Sequence, residues 1–433
     1  MAMVVKNNMS ALSTLNTLNK NTNALSKSLQ KVSSGMKINS AADDASGYAI
    51  SERMRVQIRS LDQANSNAQN GGSMMKVAEG AVSSTVEILK TLKEKAVNAA
   101  NDTNTDADRQ TIQKELDQSI DQINDNANVT FNGQYLVDGS KNSKTTATCT
   151  ALTNQSLSTA TGSNTKLVEL AARNGDNLNI QATDKVTVSW VKDGKTQTAD
   201  LTVTSTTTLA AALQLCTDID VKADANSYIC RDGSDNSVYT ASGENAVTIT
   251  AKNSGITSQI SGFTISITDN TGAVRKSANA ALDAFDETLR AQNVSADDNS
   301  INLQVGTKAN QTIKVGLTDM KAQALGLQGA DNSTLQVGNQ KQANAAINVL
   351  DSAIQKALDQ QTTIGAVQSR LEYTQTNLTT ASENVTAAES TIRDADMAKE
   401  MTEYTKNNVL MQAAQSMLAQ ANQSSSNVLS LLQ

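Results

Sequence analysis

Two pairs of neighbouring carboxylates, Asp43–Asp44 and Asp394/Asp396, are the residues of this chain whose type and spacing best suit chemistry. Paired acids can divide the general-acid and general-base roles when their surroundings push their pKa values apart. Each pair stands beside an expected helix start, however. Negative charge there compensates unpaired backbone amides, so capping accounts for both. The stretch DGSDNS at 232–237 is faintly like a calcium loop but lacks the spacing and the closing bidentate glutamate. The chain has no histidine, so the usual neutral-pH base and the commonest metal ligand are both missing. Neither a phosphate-cradling glycine loop nor a nucleophile elbow occurs. The reading therefore expects no enzyme, no cofactor and no metal.

Cys149, Cys216 and Cys230 lie mid-chain, odd in number and without a Cys-x-x-Cys spacing, which speaks against a zinc site. A Cys216–Cys230 disulfide and a pair of reduced thiols both stay open. The aromatic side chains are few, with three Phe, six Tyr and one Trp, so deep small-molecule pockets are not expected.

The elements that carry these residues divide the 433-residue chain into helical flanks and a different middle. There is no proline, which suits long unbroken helices. In the first 36 residues Val5, Met9, Leu12, Leu15, Leu18, Leu25, Leu29, Val32 and Met36 recur at steps near three and four, a helical stripe ending near Gly35. A second helix is expected from Asp43 towards Ala100, with Met54, Ile58, Leu61, Met75, Ala78, Val82, Val86, Leu89, Leu92 and Ala96 along its seam. Asp106 or Asp108 would cap a third, carrying Ile112, Leu116, Ile120 and Ile123. Ile364, Val367, Leu371, Thr374, Leu378, Ala381, Val385, Ala388 and Ile392 step strictly by three and four, a heptad that calls for helix-on-helix packing. A last helix restarts near Asp394 with Leu410, Ala414, Met417, Ala421, Val428 and Leu432 on one stripe.

Residues 140–300 are rich in Ser, Thr, Asn, Asp and Gly. KVTVSWV (185–191), ADLTVTS (199–205), AVTITAK (246–252) and FTISITD (263–269) alternate with period two, as strands do. FNGQYLVDG (131–139) reads as a hairpin entry, and INLQVG (301–306) with TIKVGL (312–317) as a strand pair. The expected fold is α+β and elongated. Long antiparallel coiled-coil-like helices come from both chain ends, with a β-rich domain inserted between them.

A net charge of −7 and a pI near 4.9 argue against nucleic acid. No apolar run is long enough to span a bilayer, and no secretory h-region follows Met1, so a chain that left the cell would need another route. Lys6, Lys20, Lys27 and Lys31 make the first segment basic. From Asn407 to Gln433 there is no charged side chain at all. Helices so rich in Asn, Ser, Thr and Gln are marginal alone, and their apolar residues stabilise only against a partner surface. Segments of this kind order when many copies assemble, and contacts between different faces give an open helical polymer.

Residues 32–54, VSSGMKINSAADDASGYAISERM, resemble the N-terminal signature of bacterial flagellins, and AESTIRDADMAKEMTEYTKNNVLMQAAQSMLAQANQSSSNVLSLLQ (388–433) resembles their C-terminal signature. NVTFNGQYLVDG (128–139), NLQVGTKANQTIKVGLTDMKAQALGL (302–327) and GAVQSRLEYTQTNL (365–378) are similar to further flagellin segments. The stretch from about 146 to 297 is not covered by this resemblance.

The resemblance implies a secreted, self-assembling filament subunit for motility. It implies core-helix halves at 1–42 and 393–433, rod-domain parts at 43–145 and 298–392, and a variable outer domain at 146–297. Val5, Leu12, Leu15, Leu25, Leu29, Val32, Leu410, Met417, Leu418, Val428, Leu429 and Leu432 would pack the filament core. Implied partners are further copies of the chain, an export chaperone on the C-terminal helix, the filament cap and hook-junction proteins. The implied route is the flagellar type III secretion channel, with no cleaved signal peptide. The flagellin-sensing Toll-like receptor is a further implied partner, through Thr91, Lys93, Glu94, Lys95 and Glu115. Thr91 stands where the recognised form has arginine and Lys95 where it has leucine, so weakened recognition is expected. Where the family commonly has a proline-containing segment after ANQ, this chain has Ser424-Ser425-Ser426.

A hook–filament junction protein has related ends, but the many matched segments favour the filament subunit. A protease in the variable region would need HExxH, which a chain without histidine does not supply. A glycan- or surface-binding module, an O-glycosylated segment and a plain solvated β-domain all remain open for 146–297.

Overall fold

A computed structural model describes residues 8–220, 246–295 and 297–430. The fold is α+β, with long helices towards both termini and strands between them. The helical flanks comprise α1 (Met9–Ser34), α2 (Ala45–Ala99) and α3 (Asp106–Ala127) on one side, and α7 (Gln340–Arg393) and α8 (Met397–Ser430) on the other. Among the described residues no helix is long and apolar enough to cross a membrane.

Helix boundaries follow local chemistry. Asn8 caps α1, its Oδ1 accepting the Ala11 amide at 3.0 Å. Gly35 closes the same helix in the left-handed region at φ 70°, which a residue without Cβ adopts at little cost. Asp44 accepts the Ser46 and Gly47 amides at the start of α2, and Asp396 those of Ala398 and Lys399 at the start of α8. Asp43 instead folds back on the amides of Asn39 and Ser40 in the preceding turn, and these hydrogen bonds hold its carboxyl below the usual range. Asp394 accepts the Ser390 hydroxyl. For α3 the expected cap shifts by a residue or more. Thr105 is the cap, and Asp108 completes a capping box by accepting the Thr105 amide.

The strands are β1 (Thr130–Phe131), β2 (Gln134–Tyr135), β3 (Ala151–Asn154), β4 (Lys185–Lys192), β5 (Lys195–Thr202), β6 (Ile219–Asp220), β7 (Val247–Ala251), β8 (Ile260–Thr268), β9 (Phe285–Leu289), β10 (Ile301–Gln304) and β11 (Thr312–Val315). Three short α-helices, α4 (Leu209–Leu213), α5 (Lys276–Leu282) and α6 (Ala322–Leu325), and two 3-10 turns, Leu167–Glu169 and Ile256–Ser258, complete the order among the described residues. β1 and β2 form the expected hairpin around Asn132-Gly133, both at positive φ, the turn that matches strand twist. Asp193-Gly194 makes the same kind of turn between β4 and β5.

A three-stranded antiparallel sheet, β5-β4-β8, and a four-stranded one, β6-β7-β3-β9, enclose the core of the inserted region. Val186, Val188 and Trp190 alternate inward along β4, with Phe263 and Ile265 from β8 and Leu209, Leu213 and Cys216 from the α4 segment. Phe263 meets Phe285 edge-on, ring centres 5.1 Å apart. Burial pushes the Cys216 thiol up to about 12, so it is a packing residue. Cys230 and the 232–237 stretch lie outside the described residues, and with them the disulfide and calcium-loop questions.

The chain forms two compact units. One holds residues from the ends, Met1–Ala68, Gln304–Gln311 and Tyr373–Gln433; the other holds Gln69–Leu303 and Thr312–Glu372. In the second unit Met75, Ala78, Val82, Val86, Leu89, Leu92 and Ala96 of α2 are buried, as are Leu116, Ile120 and Ile123 of α3. The same unit packs β8 tightly on α7. A Cβ built on Gly262 would come within 2.6 Å of the Val349 side chain and 3.1 Å of the Ala345 carbonyl, so only glycine permits the approach.

Candidate assembly surface

In the first unit α1 and α8 run antiparallel and touch along their length. Asn8 donates to the Ala421 carbonyl at 3.1 Å, Asn21 to the Leu410 carbonyl at 3.2 Å, and Asn407 to the Ser28 hydroxyl at 3.0 Å. Lys31 pairs with Glu400 at 3.4 Å, so one of the four N-terminal lysines finds its acid within the chain. The less exposed positions are Asn8 at the cap and Ala11, Thr14, Leu18, Asn21, Ala24, Leu25, Ser28, Lys31 and Val32 of α1; opposite them lie Glu400, Glu403, Tyr404, Asn407, Asn408, Met411, Ala414, Leu418 and Ala421. Small and uncharged side chains alternate along this seam with larger apolar ones. They allow close approach and set the register by hydrogen bonds to the backbone.

The apolar residues of the sequence stripe therefore divide between two faces. Leu25, Val32 and Leu418 turn partly inward. Leu12 is 52% exposed, Leu15 41%, Leu29 51%, Leu410 43% and Met417 63%. The reason is geometric. The apolar positions span more of each helix circumference than one partner covers, and the inner strip is shared by Leu18, Leu25, Val32, Met411 and Leu418 with Ala, Thr, Ser and Asn. Asn8, Met9, Ala11, Leu12, Leu15, Leu418 and Asn422 line an open groove of about 650 Å³ along the pair. Val5 and Leu432 fall outside the described residues, as do the side chains of Val428 and Leu429. An apolar face of this kind is suited to packing against another surface and offers no reacting groups. Among the described residues no group of acids and cysteines is placed to hold a metal.

The second group of sequence-selected residues sits on α2 and α3 in the other unit. Thr91 gives its hydroxyl hydrogen to the Glu87 carbonyl of its own helix at 3.1 Å. Lys93 pairs with Asp351, and Lys95 Nζ reaches the Glu115 carboxylate at 2.9 Å. Glu94 stays exposed. Sequence reasoning missed Tyr48, Glu52 and Arg393, which meet where the helical runs break. It also missed the register-setting asparagines, Asn8, Asn21 and Asn407, which no spacing singles out.

The comparisons with known proteins agree with the resemblance in the signatures. A family model of the bacterial flagellin N-terminal helical region matches residues 5–142, and one of the C-terminal helical region matches 347–432. The chain is 36% identical over 428 residues to a flagellin of Clostridium tyrobutyricum, an alignment covering 97% of this chain and 99% of that protein. It is 33% identical over 450 residues to a flagellin of Bacillus subtilis, covering 99% and 100%. A crystal structure of flagellar hook associated protein-3 from Legionella pneumophila aligns with 79% of this chain and 98% of that chain, at 13% identity and a TM-score of 0.34.

Proposed function

This chain belongs to the bacterial flagellins, structural subunits of the extracellular flagellar filament, and we propose that it polymerises through α1 and α8 by lending their exposed apolar residues to neighbouring copies. The observation that carries the reading is the exposure of Leu12, Leu15, Leu29, Leu410 and Met417 on helices already paired along another face. Flagellins are structural proteins, not enzymes, so the surface is to be understood as packing. Each leucine or methionine that a neighbour covers contributes about 1.5–3 kcal/mol. The absence of charged side chains from Asn407 onward removes the cost of desolvating charges, the largest that would oppose burial on several sides. Val5, Leu25, Val32, Leu418, Val428, Leu429 and Leu432 belong to the same proposed core.

The proposed division assigns 1–42 and 393–433 to the filament core, 43–145 and 298–392 to the rod, and 146–297 to the outer region. Export through the flagellar type III channel, a chaperone on α8, and contacts with cap and hook-junction proteins follow from family membership as proposals. Recognition by the flagellin-sensing Toll-like receptor is proposed to be weak. In support, Lys95 occupies Glu115 and the Thr91 hydroxyl is turned to its own helix.

Deleting residues 407–433 tests the assembly reading. Loss of filaments, with the fluorescence of the sole tryptophan, Trp190, unchanged, is the expected result. Filaments formed by the truncated chain would sink it.

A further inference from the structure

Both assembly helices adjoin breaks in the helical runs, and within the first unit the two breaks are joined. The Ala395 amide donates to the Gly35 carbonyl at 2.9 Å, and the Lys37 amide to the Arg393 carbonyl at 2.8 Å. Met36 and Asp394 thus face each other in a short antiparallel bridge between the end of α1 and the approach to α8. Lys37 adds a third link, from Nζ to the Thr391 carbonyl at 3.1 Å. Two backbone hydrogen bonds in a segment this open to water hold weakly by themselves.

Arg393 secures the joint. Its side chain is only 5% exposed, and Nη1 donates to Glu52 Oε1 at 2.7 Å. The guanidinium carbon lies 5.4 Å from the centre of the Tyr48 ring, within cation–π range. Tyr48 and Glu52 stand one turn apart near the start of α2, so they grip the guanidinium on one helix face. Arg55 extends the cluster, meeting Glu52 at 3.6 Å and Glu389 at 3.3 Å. Arg393 Nε is buried without a hydrogen-bond partner, a cost this joint carries. A planar, always charged group suits both contacts in a way that lysine does not.

We propose that Arg393 is a positioning residue for assembly: held by Tyr48 and Glu52, it latches the end of α1 to the start of α8 so that neighbouring copies meet the two helices as one rigid pair. The proposal rests on the reading of α1 and α8 as assembly helices. Its distinctive consequence is coupling, because Arg393 and Glu52 act as one unit.

The test is growth of filaments from wild-type seeds, with critical concentrations measured for the full-length chain and its variants. Arg393→Met is expected to raise the critical concentration about tenfold, the size typical of coupled contacts. Arg393→Lys should recover little of that loss, and adding Glu52→Gln to Arg393→Met should cost nothing further. In filaments of Tyr48→Leu, a second and milder variant, amide exchange should quicken at Lys37 and Ala395. Unchanged Trp190 fluorescence in Arg393→Met excludes global unfolding as the cause. Wild-type growth by Arg393→Met, full recovery by Arg393→Lys, independent effects of Arg393 and Glu52, or unaltered exchange would overturn the latch. Because wild-type growth is the reference, those results leave the assembly reading standing, and the 407–433 deletion addresses that reading separately.

Discussion

The Asn21 side-chain amide donates to the Leu410 carbonyl at 3.2 Å, while the Leu410 side chain itself stays 43% exposed. One residue of α8 thus serves two purposes, its backbone fixing the intrachain register and its side chain remaining available. Along the helix pair small and polar groups, with Leu18, Leu25, Val32, Met411 and Leu418, close the chain on itself, while Leu12, Leu15, Leu29, Leu410 and Met417 are left outside.

The inserted region should respond to acid at Asp283. Burial raises this carboxyl to about 6, against hydrogen bonds from the Ile265 amide and the Asn348 side chain, and its Oδ1 has no hydrogen-bond partner. An acid raised on folding gives its full contribution below the unfolded value near 3.8 and loses it as pH climbs through about 6. Asp283→Asn should therefore gain on the order of 2 kcal/mol at pH 8 and change little at pH 4. Urea unfolding followed by Trp190 at both pH values measures this; parallel shifts at pH 4 and pH 8 would contradict it.

Lys356 and Glu287 form an ion pair at 3.2 Å with both side chains 7% exposed. Burial lowers the lysine pKa while Glu287 opposes the shift. Lys356→Met alone strands a buried carboxylate and should cost about 3–5 kcal/mol, whereas Lys356→Met with Glu287→Gln should recover most of the loss. Trp190-detected unfolding of the two single variants and the double one reads the difference. A double variant as unstable as Lys356→Met would refute the pairing argument.

For receptor recognition, the Thr91→Arg, Lys95→Leu variant should signal several-fold more strongly than the natural chain in a reporter assay, because it frees Glu115 and supplies a guanidinium fork. Equal potency would remove the proposed weakness.

Much of the fold was legible because its signals are periodic. The heptad from Ile364 to Ile392 lies within α7, and Gly35 and Asp394 mark the two interruptions. β4, β7 and β8 followed from alternation of β-branched residues. β3 and β9 did not: Ala151–Asn154 is buried throughout, so it has no alternation to read, and Phe285–Leu289 carries acids at two of its five positions. The proposed assembly surface was half legible. Stripe residues could be picked from spacing, but which face meets α8 depends on the asparagine and alanine contacts, which spacing does not encode. The Tyr48–Glu52–Arg393 cluster joins residues more than 340 positions apart, and no local pattern announces it.

The central claim is that the exposed apolar residues of α1 and α8 serve neighbouring copies instead of the chain that carries them. The most direct measurement is the critical concentration for seeded growth of the Leu12→Ala, Leu15→Ala, Met417→Ala chain, alongside Trp190-detected unfolding of the unassembled protein. A rise of at least about tenfold with unchanged unfolding is the predicted result. Growth indistinguishable from wild type would contradict the account, because those side chains would then lie outside the filament contacts.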